Sequence, residues 1–343
     1  MITGADWFAG LSLLFIGVFG IVLHLIEMSA MTKLTYRYVG FRFILSQSVA
    51  DVLMLIQFGV WPGMIIFTKN SLILESMRIV VHIYMDGVWF SVCYMSVVIS
   101  VTRLVCVKYP MRFRQLRHRT CYRISAGAWI LAFVQSGIMH CMPWFESLHY
   151  DEQGYGMTGD WVKHATQGTQ TYYLTMSAII IVTYLVVYSI AAALIVVQKN
   201  MMLKLTLPKR SSAMNLVNGT RGSMLLRNQA IAVEVRLMIP CAASAVIYII
   251  GQILVNGGVG QGKWTGYAVM VIFSMQSLVN PVLRIVFSET LRCEIYRVFC
   301  VKAGKLTTTP LFTVNKLPLP SLFGGPSTAG QQNVVVHTNV HLN

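Results

Sequence analysis

Three polar side chains lie at helical spacing inside an apolar stretch of this sequence. His82, Asp86 and Trp89 are separated by four and three residues, so an α-helix places them on one face. An imidazole, a carboxylate and an indole N–H beside apolar groups are typical of a pocket that binds a small molecule between helices. His82 and Asp86 could equally pair with each other and bind no ligand, and both interpretations stay open.

Two further polar residues interrupt other apolar runs. Asp51 lies in "LSQSVADVLMLIQFGVWPGM" and Asn280 in "SLVNPVLRIVF". A buried carboxylate requires donors or a cation close by, which Asn280, Ser48, Ser277 or a sodium ion could supply. We expect no other cofactor, and the alternative is an interhelical clasp that only stabilises packing. Pro281 removes a helical hydrogen bond beside Asn280, so we expect a bend and a moving element there.

Arg103 stands in "SVTRLVCVKYP", where a long apolar run meets basic residues and a proline. A charge inside a bilayer is costly unless it lies at the membrane boundary or has a function. We therefore expect Arg103 at the end of a membrane-spanning helix.

The elements that must hold these residues are membrane-spanning helices. Of the 343 residues, 55% are hydrophobic and only 11% are charged, against about 25% charged in a soluble domain. The apolar residues form blocks long enough to span a bilayer, where a helix satisfies its own backbone. The sequence predicts an all-α membrane protein, a bundle of seven helices at 7–28, 41–67, 77–105, 122–143, 171–198, 231–255 and 264–287.

The distribution of basic residues predicts the orientation of the bundle. Cytoplasmic loops carry an excess of Lys and Arg, and the chain has 27 such residues against 12 Asp and Glu. With the N-terminus outside and the C-terminus in the cytoplasm, only Lys69, Arg78, Lys163 and Lys263 face outwards. The net charge of +15 then reflects membrane topology, so we expect the lipid bilayer and no nucleic acid as a partner.

One helical domain is predicted for residues 1–302, with a short amphipathic helix, "SETLRCEIYRVF", after the last span. Residues 303–343 are rich in Thr, Pro, Gly and Asn and are predicted to form a disordered cytoplasmic tail. The scattered Ser, His and Asp residues form no nucleophile motif, and the sequence has no phosphate-binding glycine loop. We therefore expect no enzyme activity.

Four sequence marks in the right order resemble the rhodopsin-like (class A) G-protein-coupled receptors. They are Asp51 after "SVA", "TRLVCVKYP" after the third span, Trp129 in the fourth span and "NPVLR" in the seventh. Within that superfamily, "DVLMLIQFGVWPG" and "SVTRLVCVKYPMRF" are most similar to the nematode serpentine chemoreceptors of class x. The resemblance implies a multi-pass chemoreceptor of the plasma membrane, in a sensory cilium, that binds an extracellular small-molecule or peptide ligand and signals through a heterotrimeric G protein.

The resemblance also implies a role for Arg103, which would contact the G protein in the active state. The family usually has an acidic residue before this arginine and Tyr after it, where this sequence has Thr102 and Leu104. Glu234, at the inner end of the sixth span, is the expected substitute partner of Arg103. The interaction that restrains Arg103 is therefore expected to differ from the one usual in the family.

By the same resemblance, Asp51 matches the family's sodium site, and Asn280 and Pro281 match the switch motif of the seventh span. That motif ends in Tyr in the family and in Arg284 here. The Cys that usually begins the third span is absent, so the common disulfide is not expected and the loop 144–170 loses that tether.

The ligand pocket is expected near the outer ends of the spans. Its candidate residues are His82, Asp86, Trp89, Tyr172, Tyr248, Gln252 and Tyr267. Trp61, Gln135, His140, Tyr173, Asn256 and Trp264 are further candidates, and most of the aromatic ones could equally form an interfacial belt.

Two other functions stay open, a seven-helix ligand-gated channel subunit and a transporter. Channel subunits of the insect odorant-receptor kind have the N-terminus inside, opposite to the orientation predicted here. Many transporters carry internal repeats, and this sequence has none that we detect. A photoreceptor is excluded because residues 264–287 contain no lysine that could hold retinal.

Overall fold

The computed structural model describes residues 2–70, 73–206, 241–253 and 262–302. Within them the chain forms a bundle of long helices, and a two-stranded antiparallel hairpin covers one end. The helices are α1 (Gly4–Leu34), α2 (Val39–Leu55), α3 (Trp61–Thr68), α4 (Arg78–Lys108), α5 (Pro110–Arg114), α6 (His118–His140), α7 (Trp161–Thr166), α8 (Thr169–Thr206), α9 (Cys241–Ile253), α10 (Lys263–Phe287) and α11 (Glu289–Lys302). A π-helical turn (Ile56–Val60) joins α2 to α3, a 3-10 turn (Glu75–Met77) precedes α4, and strands β1 (His149–Tyr150) and β2 (Met157–Thr158) form the hairpin.

The predicted spans correspond to these helices. Among the described residues, five helical segments are long and apolar enough to cross a membrane, namely Gly4–Leu34, Val39–Thr68, Glu75–Lys108, Thr169–Val197 and Lys263–Phe287. Helix α6 corresponds to the fourth predicted span, although Arg119 and Arg123 make its first turns polar. Helix α9 is the described part of the sixth predicted span. The rest of that span, including Glu234, lies outside the described residues, as do Asn256 and the predicted tail 303–343.

Helix α1 is longer than the sequence predicts. It begins at a capping box, in which the Thr3 side chain accepts from the Asp6 N–H and the Asp6 carboxylate accepts from the Thr3 N–H. It then continues past the predicted boundary at residue 28 to Leu34, because the intervening residues include good helix formers and no Gly or Pro. His24 and Glu27 therefore lie inside the bundle with 0% exposure.

The π-helical turn in the second span has an identifiable cause. Pro62 has no N–H, and its ring disturbs the preceding helical turn. The N–H of Trp61 donates to the carbonyl of Ile56. The carbonyl of Gln57 therefore has no helical donor, because the Trp61 N–H is already used and Pro62 has no N–H. The hydroxyl of Tyr150, from β1, donates to this carbonyl. The proline thus creates the acceptor that fixes the hairpin.

Helix α4 lies in the middle of the bundle and packs against α2, α6 and α8, while α1 packs against α2, α3 and α10. Large apolar side chains such as Phe15, Ile130 and Leu185 point outwards and are exposed, as expected for surfaces that face lipid. The first residues of α4 contact the hairpin loop, and Arg103 lies near its other end. We call the two ends of the bundle the hairpin end and the Arg103 end.

Candidate functional site

A cavity of about 170 Å³ lies between the helices at the hairpin end. By the same measure one water molecule needs about 10–15 Å³, so a small organic molecule fits. Most of its wall is apolar, formed by Phe58, Met85, Trp89, Leu148, Met157, Trp161, Val269, Met270 and Phe273. Polar groups come from His82, Asp86, His164, Gln170, Tyr173, Gln252 and Thr265. This is the composition expected of a small-molecule site.

Asp86 supplies a carboxylate to this cavity. Its Oδ2 accepts a hydrogen bond of 2.6 Å from the hydroxyl of Tyr173. The Nε2 atoms of His82 and His140 each lie 3.8 Å from one of its two oxygens. The indole N–H of Trp89 is buried in the cavity wall without a hydrogen-bond partner among the described residues. A ligand can therefore use an acceptor at Asp86 and a donor at Trp89.

The hairpin covers the cavity and is fixed by polar contacts. Tyr150 donates to the carbonyl of Gln57, and Tyr155 donates to Oδ1 of Asp6 at 2.9 Å. The same Asp6 oxygen accepts from Nζ of Lys69 at 2.7 Å. The sequence predicts that the loop 144–170 lacks the disulfide usual in the family. In the structure the hydrogen bonds of Tyr150 and Tyr155 attach this loop to the bundle instead.

The hairpin also touches α10 backbone to backbone. A Cβ on Gly156 would lie 2.7 Å from the Cα of Gly266, so only glycine fits at this contact. Met157, the next residue, lines the cavity. The close approach of Gly156 to α10 therefore sets the height of the cavity roof.

Two histidines near the roof are neutral at physiological pH. Burial lowers the pKa of the His164 imidazole below its ordinary value, although Glu146 acts in the opposite direction. Burial also lowers the pKa of His149, and the positive charge of Arg78 adds to the effect. Neither ring brings a positive charge to the roof of the cavity.

At the opposite end of α4, Arg103 is only 1% exposed. Its guanidinium lies over Gly40 at the start of α2, where an added Cβ would be 2.7 Å from Nη1. In this packing a partner protein cannot reach the guanidinium. Contact with Arg103 requires the helices at this end to separate.

A buried polar cluster joins α1, α2 and α10 between the two ends. Arg284 donates to Oγ of Ser48 at 2.9 Å, and its Nη1 lies 3.4 Å from both carboxylate oxygens of Glu27. Its Nη2 lies 3.6 Å from Oδ2 of Asp51, which accepts a hydrogen bond of 2.9 Å from Asn280. Both carboxylates are fully buried, so neighbouring groups and not water must neutralise them.

Pro281 explains the position of His24 in this cluster. Because Pro281 has no N–H, the carbonyl of Ser277, four residues earlier, lacks its helical donor. Nε2 of His24 donates to that carbonyl at 3.1 Å, and Nδ1 faces Glu27 at 3.5 Å. Helix α10 continues through Pro281 to Phe287, so the proline recruits a side chain from α1 without ending the helix.

Sodium binding at Asp51 stays a prediction, and the structure adds a condition to it. The guanidinium of Arg284 already faces Asp51 and takes the hydroxyl of Ser48, one of the predicted donors. Two unit charges about 4 Å apart repel by about 4 kcal/mol at an effective dielectric of about 20. A sodium ion therefore fits here only if Arg284 moves away.

A smaller cavity of about 40 Å³ adjoins the polar cluster. Asn280 and Arg284 line it together with Tyr248, whose hydroxyl lies 3.6 Å from Sγ of Cys93. It is thus an internal gap among α2, α4, α8, α9 and α10, distinct from the cavity under the hairpin.

Comparison with known proteins decides the family. Residues 14–220 match the sequence profile described as "Serpentine type 7TM GPCR chemoreceptor Srx". The chain belongs to this Srx family. The crystal structure of squid rhodopsin is similar, with a TM-score of 0.59 and 16% sequence identity, over 90% of this chain and 93% of that chain. This likeness shows the fold alone, and no curated protein sequence matches.

The profile match confirms the serpentine chemoreceptor assignment, and the structural likeness confirms a helical membrane fold similar to that of rhodopsin. The Srx chain is thus a multi-pass receptor of the G-protein-coupled type. The orientation of its termini stays a prediction.

The structure brings together part of the predicted ligand-binding set of this Srx receptor. His82, Asp86, Trp89 and Gln252 line the cavity under the hairpin. Tyr248 borders the inner cavity instead, because it lies one helical turn deeper on α9 than Gln252.

The two other predicted tyrosines lie apart from the hairpin-end cavity. Tyr172 accepts a hydrogen bond from Gln135 of α6. The hydroxyl of Tyr267 lies 2.7 Å from Oγ of Ser12 on α1. Both side chains link neighbouring helices.

The sequence interpretation misses three members of the polar cluster. His24 and Glu27 stand near the predicted end of the first span, so they resemble boundary residues until the extra length of α1 is known. The charge distribution favours a cytoplasmic Arg284, whereas the side chain is buried between two carboxylates. A Glu and an Arg at the ends of two apolar runs are the available signal, since such charges tend to pair.

Proposed function

We propose that this Srx receptor binds a small extracellular molecule in the cavity at the hairpin end and activates a heterotrimeric G protein at the Arg103 end. The observation that carries the proposal is the cavity itself, which combines an apolar wall with the Asp86 carboxylate and the indole N–H of Trp89. The receptor acts in the plasma membrane with its N-terminus outside, and a sensory cilium is the place that suits a chemoreceptor.

The chemistry of the cavity indicates the class of ligand. A mainly apolar molecule with a cationic or hydrogen-bond-donating group satisfies Asp86, and an acceptor elsewhere in the molecule satisfies Trp89. Hydrogen bonds to charged groups contribute about 1.5–3 kcal/mol each. Small volatile amines or heterocycles meet these requirements within the available volume.

Burial of Arg103 supports a two-state mechanism. The helices are closed around its guanidinium in this structure. A ligand that binds the open packing more tightly shifts the population towards it. The opened Arg103 end then receives the G protein.

A ligand screen with a second-messenger readout in transfected cells tests ligand binding. Asp86→Asn should weaken the response to a cationic ligand by about tenfold to a hundredfold, the loss of one charged hydrogen bond. Glu152→Gln, an exposed residue of the hairpin loop, is the matched control and should leave the dose curve unchanged. Identical curves for Asp86→Asn and the wild type would remove Asp86 from the binding site.

A second substitution tests coupling. Arg103→Ala should abolish G-protein activation, measured as nucleotide exchange in isolated membranes and normalised to surface expression. Arg112→Ala, an exposed basic residue on α5, should retain activation. Full activation by Arg103→Ala would show that this arginine does not contact the G protein. An N-terminal tag accessible on intact cells separates this receptor from channel subunits of opposite orientation.

A further inference from the structure

At the hairpin end, three side chains converge beside the ligand cavity in the arrangement of a metal site. His82 and Asp86 belong to α4, and His140 is the last residue of α6. One ligand atom from each lies within 4.8 Å of the others. Nε2 of His140 is 2.8 Å from Nδ1 of His82 and 3.8 Å from Oδ2 of Asp86, and Nε2 of His82 is 3.8 Å from Oδ1.

The hydrogen bonds around the two imidazoles fix their protons. Nδ1 of His140 lies 2.9 Å from the carbonyl oxygen of Ser136, which can only accept, so this nitrogen carries a proton. Nδ1 of His82 accepts from the N–H of Leu148 at 3.2 Å, so it carries a lone pair. In the neutral His140 ring Nε2 also carries a lone pair, and it points at Nδ1 of His82. Two lone pairs 2.8 Å apart repel, so the longer contact with Leu148 must give way, either to a proton on Nδ1 of His82 that donates to His140 or to a metal ion bound by both nitrogens.

A proton between the two rings would satisfy only the contact between them and leave the Asp86 oxygens 3.8 Å from the Nε2 atoms of both rings. We propose that His82, Asp86 and His140 bind a transition-metal ion, with Zn²⁺ as the expected species. Imidazole and carboxylate donors suit Zn²⁺ at about 2.0–2.2 Å. Tetrahedral coordination at that length places neighbouring ligand atoms about 3.3 Å apart. The distance between Nδ1 of His82 and Nε2 of His140 would then increase by about 0.5 Å, and the distance between Nε2 of His140 and Oδ2 of Asp86 would decrease by about as much.

The surroundings support a metal site. His140 donates its other ring N–H to a backbone carbonyl, and Tyr173 donates to the Asp86 carboxylate at 2.6 Å. Second-shell contacts of this kind orient metal ligands and set their tautomers. Phe145 packs against His140, with 4.6 Å between ring centroids, and gives the site an apolar wall.

The position of the site defines what the metal would do. His82 and Asp86 line the cavity, so a fourth ligand of the ion comes from the cavity. Three protein ligands and one open position are the arrangement that zinc uses to bind an exchangeable molecule. The ligand class would then include molecules with a thiolate, an imidazole, an amine or a carboxylate that coordinates the ion directly. The coordination of a cavity ligand by the ion rests on the proposed function, whereas metal binding by the three side chains does not.

Titration of the purified full-length receptor with Co²⁺ and Zn²⁺ tests the site without any odorant. The wild type should bind one Co²⁺ with visible absorption typical of a tetrahedral site, and Zn²⁺ should displace it. His140→Gln and His82→Gln should each weaken binding by about 100-fold or more, and Tyr173→Phe by about tenfold. His118→Gln, at the opposite end of the same helix α6, should bind like the wild type.

His140→Cys distinguishes ligation from a structural role. It keeps a metal ligand at this position, so it should bind Co²⁺ and add a near-ultraviolet thiolate-to-cobalt absorption band. Absence of saturable binding in the wild type, equal binding by His140→Gln, or a His140→Cys complex without that band would each overturn the proposal. None of these outcomes depends on a signalling response, so the metal site and the receptor function fail separately.

Discussion

Replacing Arg284 by methionine tests the electrostatic balance inside the bundle. The guanidinium lies 3.4 Å from Glu27 and 3.6 Å from Asp51, and both carboxylates have 0% exposure. Methionine keeps most of the volume and removes the charge. Two buried carboxylates then lose the cation that faces both, and the remaining neighbours, His24 and Asn280, cannot neutralise them fully.

The expected loss of stability depends on how deeply the ion pair is buried, and not on the distance between the charged atoms. Removing one partner of a buried ion pair destabilises a protein by about 3–5 kcal/mol. The ion pair of Arg297 with Glu294 is shorter, 2.9 Å, but the Arg297 side chain is 59% exposed. Glu294 is only 8% exposed, and without Arg297 it keeps a second cation, Lys33, at 3.7 Å. Loss of an exposed partner of this kind costs about 0–1 kcal/mol. Arg284→Met should therefore be much more damaging than Arg297→Met, in the reverse order of the two distances.

Thermal unfolding of the purified receptor, followed by intrinsic fluorescence, measures the difference. Arg284→Met should lower Tm by roughly 5–10 °C and Arg297→Met by about 2 °C or less. Adding Glu27→Gln and Asp51→Asn to Arg284→Met should restore most of the loss, because no uncompensated buried charge remains. Equal Tm values for the two single variants, or a triple variant as unstable as Arg284→Met, would refute the reasoning.

Two glycine contacts give further predictions. In Gly156→Ala the new methyl group meets the backbone of Gly266 at 2.7 Å, and a backbone cannot rotate away as a side chain can. The hairpin should therefore lift, and ligands in the cavity should dissociate several-fold faster. An unchanged dissociation rate would contradict this. In Gly40→Ala the methyl group meets the end of the flexible Arg103 side chain at 2.7 Å, so the arginine should leave its buried position and ligand-independent second-messenger production should rise. Gly127→Ala, with no atom within 4 Å of the new group, is the control, and a basal signal equal to this control would argue against a restraint at Gly40.

Much of the fold follows from the sequence because a bilayer leaves few alternatives. An apolar run of spanning length must be helical, and the basic residues between such runs predict an orientation. The ends of the helices are harder to predict. Ser29, Thr32 and Lys33 interrupt the apolar run after residue 28 and suggest that the first span ends there. The helix nevertheless continues to Leu34, so the burial of Glu27 becomes visible only in the structure.

The candidate sites also contain parts that the sequence predicts and parts that it does not. Helical spacing predicts that His82, Asp86 and Trp89 share a face, and the structure places all three at one cavity. His140 lies 58 residues from His82, and no periodicity reveals that their rings meet. The sequence shows that Pro62 disturbs a helix. It does not show that the Gln57 carbonyl, which Pro62 leaves without a donor, accepts a hydrogen bond from Tyr150, 93 residues away. Contacts between distant segments are the part that local pattern cannot supply.

One face of helix α9 borders both cavities and the buried polar cluster. Gln252, Tyr248 and Ser244 are four residues apart, so they lie one above another. Gln252 lines the cavity under the hairpin, Tyr248 borders the inner cavity, and Ser244 donates to Asn280 of the polar cluster at 2.7 Å. Because the hydrogen bonds of a helix are internal, we expect a ligand that displaces Gln252 to move this face of α9 as a unit. The inner cavity would leave space for that movement, and the hydrogen bond between Ser244 and Asn280 would transmit it to the buried charges.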